Sequence, residues 1–292
     1  MQERQQRTIN PYIILIISVA SVSTASIFVR FSDAPSMIIS AYRMLFTVLM
    51  IGPVALVKHR EELIKIGRKD AFYAVTSGFF LALHFATWIT SLKYTTVSTS
   101  TVLVQMAPIF VVAGSLVIFK EKITKESLLG ILIAVAGSVL VGITDFKVGG
   151  TALLGDILAI AGAFFISGYL LIGRELRKRI SLIPYTFIVY GSAAVFLFLG
   201  SFFMGASLYP YSSKNFAIFF ALSFFCTILG HTVFNWALKY LPAYAVSTCS
   251  LLESVGATFL AIVFLGEIPG IIQIFGQILV LTGLYLFISN NK

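Results

Sequence analysis

A run of about 20 mostly apolar residues is long enough to cross the hydrocarbon core of a bilayer as a helix. This chain holds ten of them, over 11–31, 36–57, 71–92, 96–119, 127–144, 154–173, 183–204, 216–238, 243–264 and 271–289. The runs are continuous, without the period-2 alternation of barrel strands, which are about half as long. Composition agrees: 58% of residues are apolar and 11% charged, against about 25% charged in a soluble domain. The expected fold class is an all-α membrane protein with ten transmembrane helices. The first run follows Arg4 and Arg7 and so mimics a signal peptide. It is too long for one and a second run follows at once, so it is expected to stay uncleaved. Cys226 and Cys249 are the only cysteines, too few for a disulfide framework or a zinc cluster, and no cofactor or metal is expected.

With short links, Lys and Arg placement sets orientation. If the N-terminus is inside, the inner segments hold sixteen of the 21 basic residues, from Arg4 and Arg7 through Lys58–Lys69, Lys120–Lys125 and Arg174–Arg179 to Lys239 and Lys292. The outer loops hold only Lys93, Lys147 and Lys214, while Arg30 and Arg43 lie within or near spans. This is the pattern of a multi-pass protein of the cytoplasmic (inner) membrane with both termini inside. The net charge of +9 then marks topology and contact with anionic lipid, and not a nucleic-acid partner.

Half of 292 is 146, and at that offset the chain echoes itself. Ser91-Leu92-Lys93-Tyr94 returns as Ala237-Leu238-Lys239-Tyr240, Glu121 as Glu267, Gly130 as Gly276 and Gly137 as Gly283. A two-residue slip between these anchors aligns Gln105 with Glu253. Each half, 1–146 and 147–292, holds five spans. An odd number makes the two halves cross the membrane in opposite senses. Inverted repeats are the sequence mark of secondary transporters, with substrate bound near the midplane where the repeats meet. A duplicated helix bundle without transport, or a channel, carries the same mark.

Ionisable groups inside hydrocarbon are costly, about 2.5–3.5 kcal/mol on insertion scales, so each needs a reason. Glu253 is the one acidic residue deep within a span, eleventh in span nine. A carboxyl group there can take up and release a proton during transport, or serve as hydrogen-bonded glue between helices. Arg43, eighth in span two, has the planar fork that clamps a carboxylate. It can grip a substrate, neutralise Glu253 or snorkel to headgroups, as Arg30 is expected to do beside Asp33. His84 and Trp88 share one face of span three toward the outer side, and His231 and Asn235 share one face of span eight toward the inner side. Together with the midplane Gln105, these residues suit a pocket for a small amphipathic solute such as an amino acid. Each also has a structural reading as a helix–helix hydrogen bond. Pro108 is expected to kink span four, and the recurring Gly130, Ala134, Gly137, Gly276 and Gly283 to let helices pack closely.

These residues carry a resemblance. The segment His84-Phe85-Ala86-Thr87-Trp88-Ile89-Thr90-Ser91-Leu92-Lys93-Tyr94-Thr95 and Pro108-Ile109-Phe110 in the first half are similar to EamA-type members of the drug/metabolite transporter superfamily. So are Gly230-His231, Asn235-Trp236-Ala237-Leu238-Lys239-Tyr240-Leu241, Leu252-Glu253 and Gly266-Glu267 in the second. The resemblance covers nearly the whole chain. It implies a basket of two five-helix repeats around a central cavity, export of amino acids or other small metabolites, and spans five and ten at the periphery, where they support a homodimer. It also makes Glu121 and Glu267 structural residues at the ends of spans four and nine. One departure stands out: the family often has Glu-Pro where this chain has Glu253-Ser254.

An intramembrane aspartyl protease needs two Asp within spans, and Asp33, Asp70, Asp145 and Asp156 all fall at span ends or in loops. A metalloenzyme needs clustered ligands, and His84 and His231 stand in different helices. The reading is therefore a non-enzymatic, alternating-access carrier of a small metabolite. Its cavity is expected between spans two, three, four, eight and nine. Glu253 is the proton-coupling residue, and Arg43, His84, Trp88, Gln105, His231 and Asn235 bind substrate. The alternatives are a lipophilic-cation exporter, a channel or an intramembrane enzyme.

Overall fold

The computed structural model describes residues 10–95, 97–143, 150–265 and 268–290; Arg4, Arg7, Asp145, Lys147, Gly266, Glu267 and Lys292 lie outside the described residues. The helices are α1 (Pro11–Val22), α2 (Ala25–Arg30), α3 (Ser36–Lys58), α4 (Arg60–Lys65), α5 (Arg68–Ser91), α6 (Val97–Val104), α7 (Ala107–Ile118) and α8 (Lys125–Ile143). They continue as α9 (Thr151–Leu176), α10 (Leu182–Phe203), α11 (Ser213–Ala221), a π-helix (Leu222–His231), α12 (Thr232–Ala237), α13 (Ala243–Ser250), α14 (Leu252–Leu265) and α15 (Ile271–Ser289). Several join end to end: α1 with α2, α6 with α7, α11 through the π-helix to α12, and α13 with α14. Among the described residues, nine rods are long and apolar enough to cross a membrane. The 19-residue α8 stands where the fifth span is expected. The protein is an all-α membrane protein, and its outer surface is apolar: Val57, Phe203, Ile271 and Tyr285 are each at least 73% exposed, a surface that suits lipid and not water.

The joints have local causes. Between α1 and α2 the Ser23 and Thr24 hydroxyls donate to the carbonyls of Val19 (2.9 Å) and Ser21 (2.7 Å), competing with the helical ladder. Between α6 and α7 the chain breaks at Gln105 and Met106, and Pro108 sits in the first turn of α7, where its missing N–H costs nothing. The ninth rod breaks at Leu251 although no proline follows Glu253. Here Ser254 does the work: its N–H and its hydroxyl both donate to the Leu251 carbonyl, at 3.3 and 2.9 Å. In the eighth rod the Thr227 hydroxyl donates to Leu222 O five residues back (3.4 Å), within the π-helix.

Packing follows the small residues. A Cβ added to Gly130 would stand 2.8 Å from the Gly283 carbonyl oxygen, and one added to Gly283 would stand 2.6 Å from that of Gly130. Gly137 and Gly276 are reciprocal in the same way, at 2.6 and 2.7 Å. So α8 and α15 lie against each other backbone to backbone, at positions equivalent under the 146-residue offset. At the end of the bundle rich in Lys and Arg, the tail of α9 ties several elements together. Arg174 Nη1 donates to Leu238 O (2.9 Å) and its Nε lies 3.9 Å from Glu121 Oε1. Arg177 Nε donates to Asn235 O (3.0 Å), and Arg179 pairs with Asp70 at 3.2 Å. Glu62 accepts from the N–H of Ser181 (2.7 Å) and from its hydroxyl. Burial alone would raise the Glu62 pKa, but these two hydrogen bonds and nearby His59 outweigh it and hold the carboxyl below its ordinary range.

Asp33 meets Lys214 at 3.7 Å across the other end of the bundle. One placement differs from the sequence reading. Asp156, expected at a span end, is the sixth residue of α9 and is buried, because α9 begins three residues earlier than the expected span.

Candidate functional site

Six of the seven residues singled out from sequence line one cavity at the centre of the bundle: Arg43, His84, Trp88, Gln105, His231 and Glu253. Its volume is about 60 Å³, room for a few water molecules, whereas pockets for small-molecule ligands run to about 300–1,000 Å³. Spans two, three, four, eight and nine contribute as expected. Val22 and Ala25 from the first rod and Ile166 and Leu170 from α9 complete the wall.

Arg43 is fully buried on α3. Its Nε donates to the Thr227 hydroxyl (2.8 Å), which the π-helix presents, and its guanidinium carbon lies 4.3 Å from the centre of the Phe85 ring. The Ser223 hydroxyl donates to the Arg43 carbonyl (2.6 Å), so the π-helix holds both main chain and side chain of this residue. Both Nη atoms are buried without a hydrogen-bond partner among the described residues.

Glu253 stands in the first turn of α14, just past the break in the ninth rod, and Gln105 stands at the break in the fourth. Gln105 Nε2 donates to Glu253 Oε2 at 3.1 Å. The two positions that the repeat pairs therefore meet across the cavity, each at the interruption of its helix. The N-terminal ends of α7 and α14 both start here, and such ends favour negative charge.

The histidines come together from opposite halves. Their ring centres lie 6.4 Å apart. His84 Nδ1 is 3.0 Å from the Gly162 carbonyl, which can only accept, so Nδ1 carries the proton. Its ring stacks on Trp88 at 5.9 Å and 7°. His231 sits among Phe85, Tyr169 and Phe234. Trp88 Nε1 and His231 Nδ1 are buried without hydrogen-bond partners.

Asn235 lies elsewhere. It is not among the cavity-lining residues, and its Nδ2 donates to the Tyr169 hydroxyl, to the Tyr190 hydroxyl (3.1 Å) and to the His231 carbonyl (2.9 Å). This cluster braces the helix that presents His231. Sequence reasoning passed over Ser247 and Ser250 on the site's walls, and Thr227 and the two tyrosines behind them. Hydroxyls in an apolar run mark a buried polar face, but they are common enough in membrane helices that spacing alone does not single them out.

Unpaired donors gather at the site. Arg43 Nη1 and Nη2 and Trp88 Nε1 can only donate, all three are unpaired, and the Ser247 hydroxyl is unpaired beside them. Among the described residues Glu253 is the only carboxylate in the lining, and Gln105 already donates to it. No group of three or more His, Cys, Asp or Glu is close enough to hold a metal ion among the described residues.

Comparison with known proteins agrees with this architecture. The model of the EamA-like transporter family matches twice, over residues 10–143 and again over 153–289. An uncharacterized transporter, YxxF, of Bacillus subtilis (strain 168) is 23% identical over 280 residues, covering 95% of this chain and 89% of its own. An uncharacterized transporter of Archaeoglobus fulgidus is 25% identical over 210 residues, covering 70% and 72%. A solved crystal structure superposes with a TM-score of 0.78 at 17% identity, over 94% of this chain and 95% of its own.

Proposed function

The chain belongs to the EamA-like transporter family, and on that premise we propose that it exports a small carboxylate-bearing metabolite, an amino acid or close relative, across the cytoplasmic membrane by alternating access. The observation that carries the substrate class is the surplus of donors. Arg43 presents two unpaired Nη atoms, with Trp88 Nε1 unpaired beside them. Leaving buried donors unmade costs about 1–3 kcal/mol each, and a bound carboxylate supplies the acceptors. Glu253 then serves either the ammonium group of an amino acid or a proton that moves with the cycle. A lipophilic cation would meet the buried charge of Arg43, which disfavours that alternative.

A cavity of about 60 Å³ is too small for an amino acid, so binding requires the halves to part. In this reading the repeats are residues 1–146 and 147–292, both termini are cytoplasmic, and the basic end with its Arg174, Arg177 and Arg179 contacts is the closed inner gate. Substrate enters when those contacts release. Gln105, His84 and His231 orient it, and Asn235 acts through His231.

Purified protein in liposomes with a trapped pH-sensitive dye tests this. Amino acids, other carboxylates, amines and lipophilic cations are added in turn. A saturable, carboxylate-dependent pH change that Glu253→Gln abolishes and Arg43→Gln weakens is the expected result. Saturable flux of cations but not carboxylates overturns the substrate class. Carboxylate exchange with pH coupling intact in Glu253→Gln overturns the role of that residue.

A further inference from the structure

A second cavity, of about 390 Å³, lies away from the central one, at the basic end of the bundle. Its floor is α9, and α5 and α7 pack on α9 to either side, leaving a wedge between them. The residues that line it sit at two levels. At the rim are Lys69, second residue of α5, and Arg179, just beyond the end of α9. One to two turns deeper the walls are Tyr73, Ile118, Leu171 and Ile172.

The rim is positively charged after internal pairing is counted. Glu175 also lines the cleft, but it is held by Lys178 at 2.8 Å and Arg179 at 3.6 Å, and Arg179 is shared further with Asp70 at 3.2 Å. Lys178 lies 5.7 Å from the centre of the Phe119 ring at the edge of the same wall. Lys69 is exposed and makes no ion pair or hydrogen bond among the described residues. Next to it, Gly67 caps α5 without a side chain, so the first-turn N–H groups add to the positive potential. The walls below are apolar and open sideways: Ile118 is 64% and Tyr73 41% exposed.

A positive rim above an apolar wedge, at the level where helices leave the hydrocarbon, matches one kind of occupant. We infer that this cleft binds an anionic phospholipid, its phosphate against Lys69 and Arg179 and an acyl chain between α5 and α7. Basic pockets between helices at a membrane face recognise anionic headgroups in this way. A free phosphate shares the headgroup chemistry but has no use for the apolar walls, and a zwitterionic lipid uses the walls without the charge. The inference is independent of what the central cavity carries.

The test uses the full chain, delipidated in a neutral detergent, with retained lipid read by native mass spectrometry and melting temperature read in parallel. Phosphatidylglycerol, phosphatidylcholine with the same acyl chains and inorganic phosphate are titrated separately. Phosphatidylglycerol is expected to bind and to raise the melting temperature. Lys69→Gln is expected to weaken it about five-fold, as one lysine near a lipid surface contributes, with Lys69→Arg restoring it. Ile118→Ser should weaken it independently, and Lys93→Gln, at the opposite end, should leave it unchanged. Equal binding of phosphatidylcholine, equal binding by Lys69→Gln, or stabilisation by inorganic phosphate at the same midpoint would each overturn the assignment.

Discussion

Two of the contacts between the halves of the chain are built differently. At the periphery α8 and α15 touch through like residues: Gly130 faces Gly283 and Gly137 faces Gly276, reciprocally. At the centre the equivalent positions are unlike: Gln105 on one broken helix donates to Glu253 on the other. Close backbone packing imposes the same demand on both helices, and only a residue without a Cβ meets it, so both carry glycine. The central position has no such steric demand. One half supplies a neutral amide, the other a carboxyl group that can change charge. In the proposed function, the contrast separates what duplication needs in order to pack from what transport needs in order to be driven.

The sharpest way to break the contrast is to erase the central difference. Glu253→Gln places amides on both sides and is expected to abolish pH-driven flux in liposomes. Exchanging the pair, with Gln105→Glu and Glu253→Gln together, should restore coupling to within about tenfold, or 1.4 kcal/mol, if the two broken helices are equivalent in shape. A swap that stays dead while folding normally would mean the two breaks are not interchangeable. Next in size, Gly137→Leu forces a side chain where a Cβ already stands 2.6 Å from a carbonyl oxygen. Overpacking of this kind costs about 1–3 kcal/mol, seen as a lower melting temperature in detergent. Gly276→Leu should cost the same within error if the contact is reciprocal.

Arg43→Lys keeps the charge and loses the fork. Its expected effect is a rise in KM for carboxylates of about tenfold with a smaller change in kcat. Equal KM would mean Arg43 serves only its Thr227 contact. At the basic end, Glu62 is ionised more readily folded than unfolded. Its contribution to stability is therefore full above the unfolded carboxylate pKa and fades as pH falls through the lower folded value. The melting temperature should drop on acidification below about pH 4.5, and Glu62→Gln should shrink that drop; an unaltered acid response would mean that the Glu62–Ser181 hydrogen bonds contribute nothing to stability. Smallest of all, Ser254→Pro should cost about 1 kcal/mol or less: it removes the N–H and hydroxyl bonds to the Leu251 carbonyl, but proline is tolerated in the first turn of a helix. A large loss would show that the Ser254 hydroxyl, and not the break itself, holds α14 in place.

Much of this was legible in the chain, for reasons that can be named. Burying about 20 residues of backbone in hydrocarbon leaves a helix as the only economical choice, so nearly every rod appears where an apolar run predicts it. Ionisable and amide side chains and tryptophans inside such runs are few, which is why Arg43, His84, Trp88, Gln105, His231 and Glu253 stand out. Asn235 was chosen on the same grounds and lies instead against Tyr169 and Tyr190, because one helical turn separates a cavity face from a packing face and periodicity alone does not say which neighbour lies opposite. The break at Leu251 had no proline to announce it, since a serine hydroxyl reaching back to a carbonyl does the same work.

What the sequence determined by itself is therefore the class of the molecule: a membrane-embedded helical bundle with an internal repeat, dictated by local hydrophobicity and by the cost of isolated charge in hydrocarbon. Only the tertiary structure decided which polar groups meet. It joined Gln105 to Glu253 across 148 residues of chain, brought the two histidines to 6.4 Å and left the Nη atoms of Arg43 facing a cavity without a partner. Those contacts arise from packing between helices distant in sequence, and hydrogen-bond pairing at 3 Å depends on register and rotation that a pattern of apolar residues does not encode.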